Sequence, residues 1–503
     1  MSITAASEPA TSPPADRPAL SWRPSLALAA GAAGLLLALS GRYGYHVDEL
    51  YFRVAAQHLA WGYVDQPSLV PLLAKAEMTL FGDNLVALRI APALLTGVAV
   101  FLVAAIAREF GGGRSAQVLA AGATICSTMP FGFGHVLHTY TPDLLCWLTL
   151  CLVVLRILRT GDERLWPVAG AVAGLGLYAK YLIALLVVCL LAGILLAGPR
   201  RILRSRYLLA GAAIGLVIAS PGILWQATHG WPQLEFARAS SNGIELASRI
   251  DFLPTQLLMI GLLLTPVWIA GLVALLRRPQ WRAYRAVGVA YPVMVVLLIA
   301  VAGKSTYTTG LLTVLLAAGC VVTAGWAKKA GRRILLGAAL IGNAALALVM
   351  TLPILPVMTF TEDSPLTGLA VSQLEQTGWP ELTAQVASVY QSLSPAEQQR
   401  SVIFGANYHQ AAAIAKYGSG LPQEYSGHNS YYDFGRPGDD KDVVIAVGAG
   451  PDFVRFFGRC EQRATLNFSL PHLEQGKPVA VCRDPRMSWE QIWPQVRWVG
   501  LDG

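Results

Sequence analysis

The sequence predicts a polytopic α-helical membrane protein of about eleven spans, carrying a small α/β domain near its C-terminal end. Three observations predict it. Hydrophobic residues make up 54% of the 503 positions and charged residues only 14%, whereas an ordinary soluble chain is about a quarter charged. There is too little polar surface to cover several globular cores. Apolar runs of about 17 to 25 residues, the length a bilayer requires, recur through the first 350 positions. After Pro353 they give way to mixed polarity with alternating strand and helix cues. Disorder, collagen-like repeats and a secreted disulfide scaffold are excluded together. The net charge of +8 sits in short clusters between the apolar runs, which makes it a signal of topology and not of nucleic-acid binding.

The runs fall at about 24–40, 85–107, 115–134, 142–155, 166–197, 207–225, 254–276, 286–302, 307–325 and 334–352. Between them lie five basic loops: Arg108/Arg114, Arg156/Arg159/Arg164, Arg200/Arg201/Arg204/Arg206, Arg277/Arg278/Arg282/Arg285 and Lys328/Lys329/Arg332/Arg333. The positive-inside rule assigns these loops to the cytoplasm, and Arg17 and Arg23 put the N-terminus there too. The run 166–197 is basic on both flanks, so it must cross twice, reversing near Tyr178-Ala179-Lys180-Tyr181. Eleven spans result, with residues 353–503 outside. Residues 1–23, rich in Ala, Ser, Thr and Pro and without a clear cleavage site, read as a disordered cytoplasmic tail before an uncleaved first span. The membrane domain is 24–352 with a long outer loop at 41–84. In the tail, 401–404, 443–447 and 478–482 read as strands and 410–416 as a helix.

Five cysteines lie within apolar runs and act as small hydrophobes. Cys460 and Cys482 lie in the tail, on the side where disulfides persist, and are expected to pair.

The densest polar cluster near the bilayer is the first outer loop. His46-Val47-Asp48-Glu49 follows the first span, and Val47, Leu50, Tyr51, Val54 and Trp61 then recur at helical spacing, as in a helix lying at the interface. Acids in a first turn also simply suit the helix dipole. The functional reading is a carboxylate at the membrane surface that takes a proton from an acceptor hydroxyl or amine. Asp65, in Gly62-Tyr63-Val64-Asp65-Gln66-Pro67-Ser68, is either a cap or a second acid converging on Asp48. Thr141-Pro142-Asp143 is a helix start that puts another acid on the same side. Lys180 lies in an apolar run and Lys304 between two spans on the outer side. Each is a snorkelling lysine, or the two together form an anion pocket for which phosphate is the obvious ligand.

Other signals lead nowhere. Gly303-Lys304-Ser305 has Leu298 where a phosphate loop needs glycine, Gly174-Leu175-Gly176 reads as span packing, and His135 and His138 lack partners at metal-ligand spacing. His409 and His428 stay undecided.

Asp48-Glu49-Leu50-Tyr51 followed by Gly62-Tyr63-Val64-Asp65-Gln66-Pro67 resembles the GT-C membrane glycosyltransferases of the dolichyl-phosphate-mannose protein mannosyltransferase type, whose bacterial relatives include the aminoarabinose transferase acting on lipid A. The resemblance continues through Leu88-Arg89, Pro142-Asp143, Lys180 and Gly303-Lys304, over roughly 40–325. Gly378-Trp379-Pro380 and Tyr425-Ser426-Gly427-His428-Asn429-Ser430 are similar to a bacterial branch. Ser68 departs from it, standing where relatives commonly carry a second proline, and Thr308-Thr309-Gly310 is less aromatic and proline-rich than usual. The resemblance implies an inner-membrane enzyme that moves a sugar, with inversion, from a polyprenyl-phosphate donor to a cell-envelope acceptor on the outer face. It implies Asp48 as general base, Glu49 and Asp65 as positioning acids, and Lys180 and Lys304 as ligands of the leaving phosphate. Asp143, Tyr63, Gln66 and Arg89 are expected to contact substrate. No cofactor is required, and a divalent metal is optional because two lysines supply the cations. The rival class is a transporter or flippase for a lipid-linked sugar or small molecule, which also places polar groups within spans. One-sided clustering and the lack of an evident inverted repeat argue against it. A catalytically dead sensor or scaffold is the third reading.

Overall fold

A computed structural model describes residues 17–241, 249, 251–361, 363–369 and 371–501. The membrane part comprises α1 (Trp22–Leu39), the short loop helices α2 (Val47–Ala55) and α3 (Leu69–Phe81), α4 (Ile90–Glu109), α5 (Arg114–Ile125), the single turn α6 (Met129–Gly132), α7 (Tyr140–Thr160), α8 (Trp166–Gly176), α9 (Leu182–Ala197), α10 (Arg206–Thr228), α11 (Pro232–Ser241), α12 (Phe252–Met259), α13 (Thr265–Arg277), α14 (Arg285–Ala300), α15 (Thr309–Trp326) and α16 (Ala330–Thr351). Among the described residues seven helices are long and apolar enough to cross a membrane alone, and two bent helix pairs have the length and composition for one more span each. The eleven-span reading closes with α8 and α9, which turn back at 177–181.

The α8–α10 contact shows how that reversal is built. The two helices run parallel and touch through glycines: a Cβ on Gly170 would sit 1.9 Å from the Gly211 carbonyl oxygen, and one on Gly174 would sit 2.6 Å from that of Gly215. Only small residues let helix backbones approach so closely inside a bilayer. Tyr178, at the turn, donates to the Ile218 carbonyl at 2.7 Å, level with the Gly222 turn of α10. The reversal is therefore recessed by about 9 Å from the end of α10, at 1.5 Å per residue. Lys180 follows at the bottom of that recess.

Two apolar runs that read as continuous spans are broken. The α5 stretch turns by 71° before Met129–His135, and Phe252–Met259 meets Leu262–Arg277 at 88°. Broken backbone inside a membrane must find internal partners, and Asn343 of α16 supplies them for both breaks. Its Nδ2 donates to Cys126 O at 2.7 Å and Ile260 O at 3.2 Å, and its Oδ1 accepts from Leu263 N at 3.2 Å. Gly261, at φ +113°, leaves room for this side chain, since a Cβ there would overlap it.

At one end of the bundle the arginines gather. Arg156 and Arg159 hold the buried Glu109 at 3.2 and 2.9 Å, Arg17 bonds the Tyr284 hydroxyl, and Arg108 holds the Pro18 carbonyl. The N-terminal segment, expected to be disordered through residue 23, is thus anchored from Arg17 onward, and residues 1–16 lie outside the described residues.

At the other end sits the tail. Its five-stranded sheet has the order β2 (Glu424–Tyr425), β1 (Ser401–Gly405), β3 (Val443–Val447), β5 (Pro478–Pro485), β4 (Phe457–Thr465). β1 pairs in parallel with β2 and β3, and β5 runs antiparallel to both β3 and β4. Helices α17 (Trp379–Gln391) and α18 (Tyr408–Tyr417) cover one face. Cys460 and Cys482 lie opposite each other on β4 and β5 and are joined by a disulfide.

This sheet is not a free-standing unit. Leu50, Tyr51 and Val54 of α2 share one apolar cluster with Val386 of α17, Ala411 of α18 and Ile445 of β3. The amphipathic face expected to lie on the bilayer therefore packs against the tail. α2 also ends at Ala55, before Trp61, which is 59% exposed.

Candidate active site

The first outer loop folds around a capping box. The His46 ring accepts from Asp48 N at 3.2 Å and the Glu49 carboxylate accepts from His46 N at 2.9 Å, which starts α2 and fixes both acids in its first turn. The two neighbouring carboxylates then diverge.

Glu49 is fully buried. It accepts from Arg89 Nε at 2.9 Å, Arg89 Nη2 at 2.8 Å and Leu137 N at 3.1 Å as well as from His46 N. Arg89 spends its remaining donors on the carbonyls of Ser40, Arg42 and Gly44, on His135 and on Gln376. Glu49 and Arg89, expected at the site as a positioning acid and a substrate contact, complete each other and tie four chain segments together. The hydroxyl of Tyr63, also expected to contact substrate, bonds within its own loop to Ala55 O, His58 O and Ala60 N. Gln66 is 4% exposed and its Nε2 has no hydrogen-bond partner among the described residues.

Asp48 points the other way. His138 Nε2 lies 2.9 Å from its Oδ2, and the Tyr408 hydroxyl of α18 donates to Oδ1 at 3.4 Å. Burial pushes the Asp48 carboxyl up, but the hydrogen bond and charge of His138, with His46 and His409 behind it, outweigh burial and hold it below the ordinary carboxylate value. Asp48 is therefore ionised at neutral pH.

Asp65 has the opposite character. It accepts from the Tyr51 hydroxyl at 2.8 Å and from Ser430 at 3.5 Å. Burial pushes its carboxyl up to about 7, only partly offset by those bonds, and the Asp48 charge adds to the rise. Tyr51 stacks on Tyr408 at 4.5 Å between ring centres. The two acids are thus linked through residues of the tail.

Beside them is a small pocket lined by Tyr140, Asp143, Trp147, Lys180 and Tyr307 among others. Asp143 accepts from Trp147 Nε1 at 2.9 Å, and the Lys180 ammonium lies 4.9 Å from the Tyr307 ring centre and 5.7 Å from that of Tyr140. The charges acting on Lys180 are those of Asp143, Lys304 and Asp48. Lys304 itself is exposed, capping the short Ser305–Thr308 turn. Asp48, Asp65, Asp143, Lys180 and Lys304 therefore gather at one end of the bundle, while Glu49, Arg89 and Tyr63 form the frame.

Sequence reasoning gave no role at this site to His138, Tyr408 or Ser430. His138 has no acid at any regular spacing, since its partner is 90 positions away and only folding joins them. Among the described residues no group of three or more His, Cys, Asp or Glu side chains could hold a metal ion.

The helix reversal that carries Lys180 and the acid-bearing loop 41–84 belong to a multi-pass bundle whose fold is that of the GT-C membrane glycosyltransferases. Residues 65–225 match the dolichyl-phosphate-mannose-protein mannosyltransferase family. Over 201 residues, 38% of this chain, the sequence is 28% identical to undecaprenyl phosphate-alpha-4-amino-4-deoxy-L-arabinose arabinosyl transferase 1 of Pseudomonas fluorescens (strain Pf0-1). The match spans about a third of that curated relative's length, 35%.

The fold is similar to that of ArnT from Cupriavidus metallidurans. The likeness to the structure bound to undecaprenyl phosphate has a TM-score of 0.57, and that to the apo state 0.59, each at 14% identity and over 91% of this chain, with 97% and 96% of those chains covered. The arabinofuranosyltransferase AftD from Mycobacteria is similar at a TM-score of 0.53 and 14% identity, over 93% of this chain and 40% of its own. The chain has the GT-C fold of the ArnT type and is a multi-pass membrane protein.

Proposed function

We propose that the chain is an inverting glycosyltransferase that moves a sugar from a polyprenyl-phosphate donor to a cell-envelope acceptor on the outer face of the inner membrane. The observation that carries this reading is that Asp48, ionised and held by His138, gathers at one end of the bundle with the pocket that holds Asp143 and Lys180. A base and a cation that flank one recess suit a displacement in which a nucleophile loses a proton as a phosphate leaves. The donor class is supported by the relatives, an undecaprenyl phosphate-alpha-4-amino-4-deoxy-L-arabinose arabinosyl transferase and an ArnT structure bound to undecaprenyl phosphate.

The acceptor hydroxyl or amine gives its proton to Asp48 and attacks the anomeric carbon. The bond from that carbon to the phosphate oxygen breaks, and the polyprenyl phosphate departs against Lys180 and Lys304. Asp143 orients Lys180, and Asp65 donates or accepts toward the acceptor according to its protonation. His138 keeps the Asp48 carboxylate ionised and aimed. The two lysines supply the cations of the step without a divalent metal, so treatment with a chelator is expected to leave transfer intact. The orientation we infer has the arginine-rich end cytoplasmic and the tail outside.

The test is release of label from a polyprenyl-phosphate sugar in reconstituted vesicles over a panel of donors and acceptors. Asp48→Asn should fold normally and lose about 10²-fold or more in transfer, the usual worth of a general base. Lys180→Met should weaken donor binding more than acceptor binding. Full transfer by Asp48→Asn refutes the base, and net movement of intact donor across the vesicle without sugar release would favour the transporter reading.

A further inference from the structure

At the arginine-rich end, far from the acids, a groove of about 950 Å³ opens between α1, α5, α15 and α16. Beyond the arginine–carbonyl bonds of its first turn to the end of α15, α16 is held mainly at its other half. Asn343 latches it to the two breaks, and Gln373 bonds the Val349 and Leu352 carbonyls, while toward Ala330 the helix stands away from the bundle. A Cβ on Gly331 or Gly337 would meet nothing within 4 Å, and α16 is the least buried of the seven long apolar helices. The groove walls are apolar, including Leu28, Leu119 and Leu340, with Arg114 and Arg333 among the lining residues and no acid.

The charge around the groove has one sign. Helices α1, α5 and α16 all begin at this end, and none has an acid in its first turn or a side-chain cap on its first amides. Their uncapped N–H groups add positive potential to the two guanidiniums. Arg333 holds the Ala327 and Lys328 carbonyls at the end of α15, which fixes it in place, and the Lys328/Lys329/Arg332 cluster adjoins it. Arg114 is exposed and has no hydrogen-bond or ion-pair partner among the described residues.

We propose that this groove binds an anionic phospholipid of the adjacent leaflet, with its acyl chains along α1, α5 and α16 and its phosphate between Arg114 and Arg333. A groove between spanning helices is open to hydrocarbon, which suits acyl chains and not a peptide whose backbone would lack partners there. Guanidinium forks match phosphate oxygens, and a zwitterionic headgroup would bring an ammonium into a uniformly positive rim. The inference does not depend on the catalytic reading, since it concerns the opposite end of the bundle.

The full chain in nanodiscs of mixed phosphatidylethanolamine, phosphatidylglycerol and cardiolipin, examined by native mass spectrometry after transfer to detergent, tests it. One phosphatidylglycerol or cardiolipin should stay bound while phosphatidylethanolamine is lost. The Arg114→Gln, Arg333→Gln double variant should lower that retention about thirtyfold, roughly fivefold for each basic side chain, with sugar transfer unchanged. Gly122→Phe should abolish retention, because Gly122 lines the groove and a Cβ there meets no protein atom. Equal retention of phosphatidylethanolamine, or retention indifferent to the arginines, overturns the proposal. So does retention of undecaprenyl phosphate alone when that lipid is added, which would make the groove a second donor site. Retention that appears only after deletion of residues 1–16 overturns it too, by making that segment the occupant.

Discussion

Replacing Glu49 by Gln separates a framework carboxylate from a chemical one. The two Glu49 oxygens accept four hydrogen bonds, two from Arg89 and one each from His46 N and Leu137 N. A glutamine keeps one acceptor and turns its NH₂ against donors, whichever way the amide is placed. The Arg89 guanidinium, 1% exposed, meanwhile loses its counter-charge. Removing one partner of a buried ion pair costs about 3–5 kcal/mol. The lower end, about 3 kcal/mol, is expected because the carbonyls of Ser40, Arg42 and Gly44 still hold Arg89. The loss is read as a shift of the unfolding transition in mixed micelles. Transfer should fall as well, since Leu137 precedes His138 and its amide is one of the bonds released. Asp48→Asn should show the reverse pattern, with unchanged unfolding and lost transfer. A Glu49→Gln protein that unfolds like the parent, within about 0.5 kcal/mol, yet transfers nothing would refute the framework role and return Glu49 to the chemistry.

Three further outcomes are expected. Burial raises the Asp65 carboxyl from its ordinary 3.8 to about 7, so the folded state holds a proton there that the unfolded chain has released, and stability falls as pH rises between those values. The ionised form is disfavoured by about 4 kcal/mol at 1.36 kcal/mol per pH unit, so Asp65→Asn should unfold later than the parent at pH 8 and alike near pH 4; a parallel pH profile in the two proteins would discount the burial argument. Asn343→Leu strips partners from Cys126 O, Ile260 O and Leu263 N, and at about 0.6 kcal/mol for each bond within a membrane it should cost about 2 kcal/mol. Thermal unfolding of that variant in detergent checks this, and no change would mean the breaks are satisfied by other groups. Labelling of denatured, unreduced protein should leave Cys460 and Cys482 unmodified, and Cys460→Ser should destabilise the tail by about 3 kcal/mol for a loop of 22 residues.

The parts of the fold governed by local composition could be read directly. Apolar length and arginine position marked the membrane helices, including the two short helices and the reversal within 166–197, and uninterrupted apolar runs marked β1 and β3, which are buried on both faces. β4 escaped notice because most of its residues are exposed edge positions, Arg459, Glu461 and Gln462 among them, with no apolar alternation to mark a strand. The two broken spans escaped for a different reason. Hydropathy measures transfer of a segment into lipid, and it cannot register that a side chain more than eighty positions away repairs the backbone. The site divides in the same way. Asp48, Asp65, Asp143 and the two lysines stood out as polar groups where polarity is costly. Glu49 and Arg89 stood out for that same reason, and only their geometry shows that they spend their charge on each other. The role of His138 was invisible because its acid partner is not its neighbour in sequence.

The close packing of α2 against the tail has a consequence for how the protein comes into being. Tyr408 and Ser430 reach Asp48 and Asp65 from positions more than 350 residues later in the chain, and the sheet that carries them is completed only by β5. A ribosome making this chain has finished every membrane crossing well before those residues emerge. The bundle can therefore be inserted with Asp48 and Asp65 still uncovered. Completion then waits on folding of the last segment, so a truncated or stalled product has all its membrane helices but lacks the groups that reach Asp48 and Asp65.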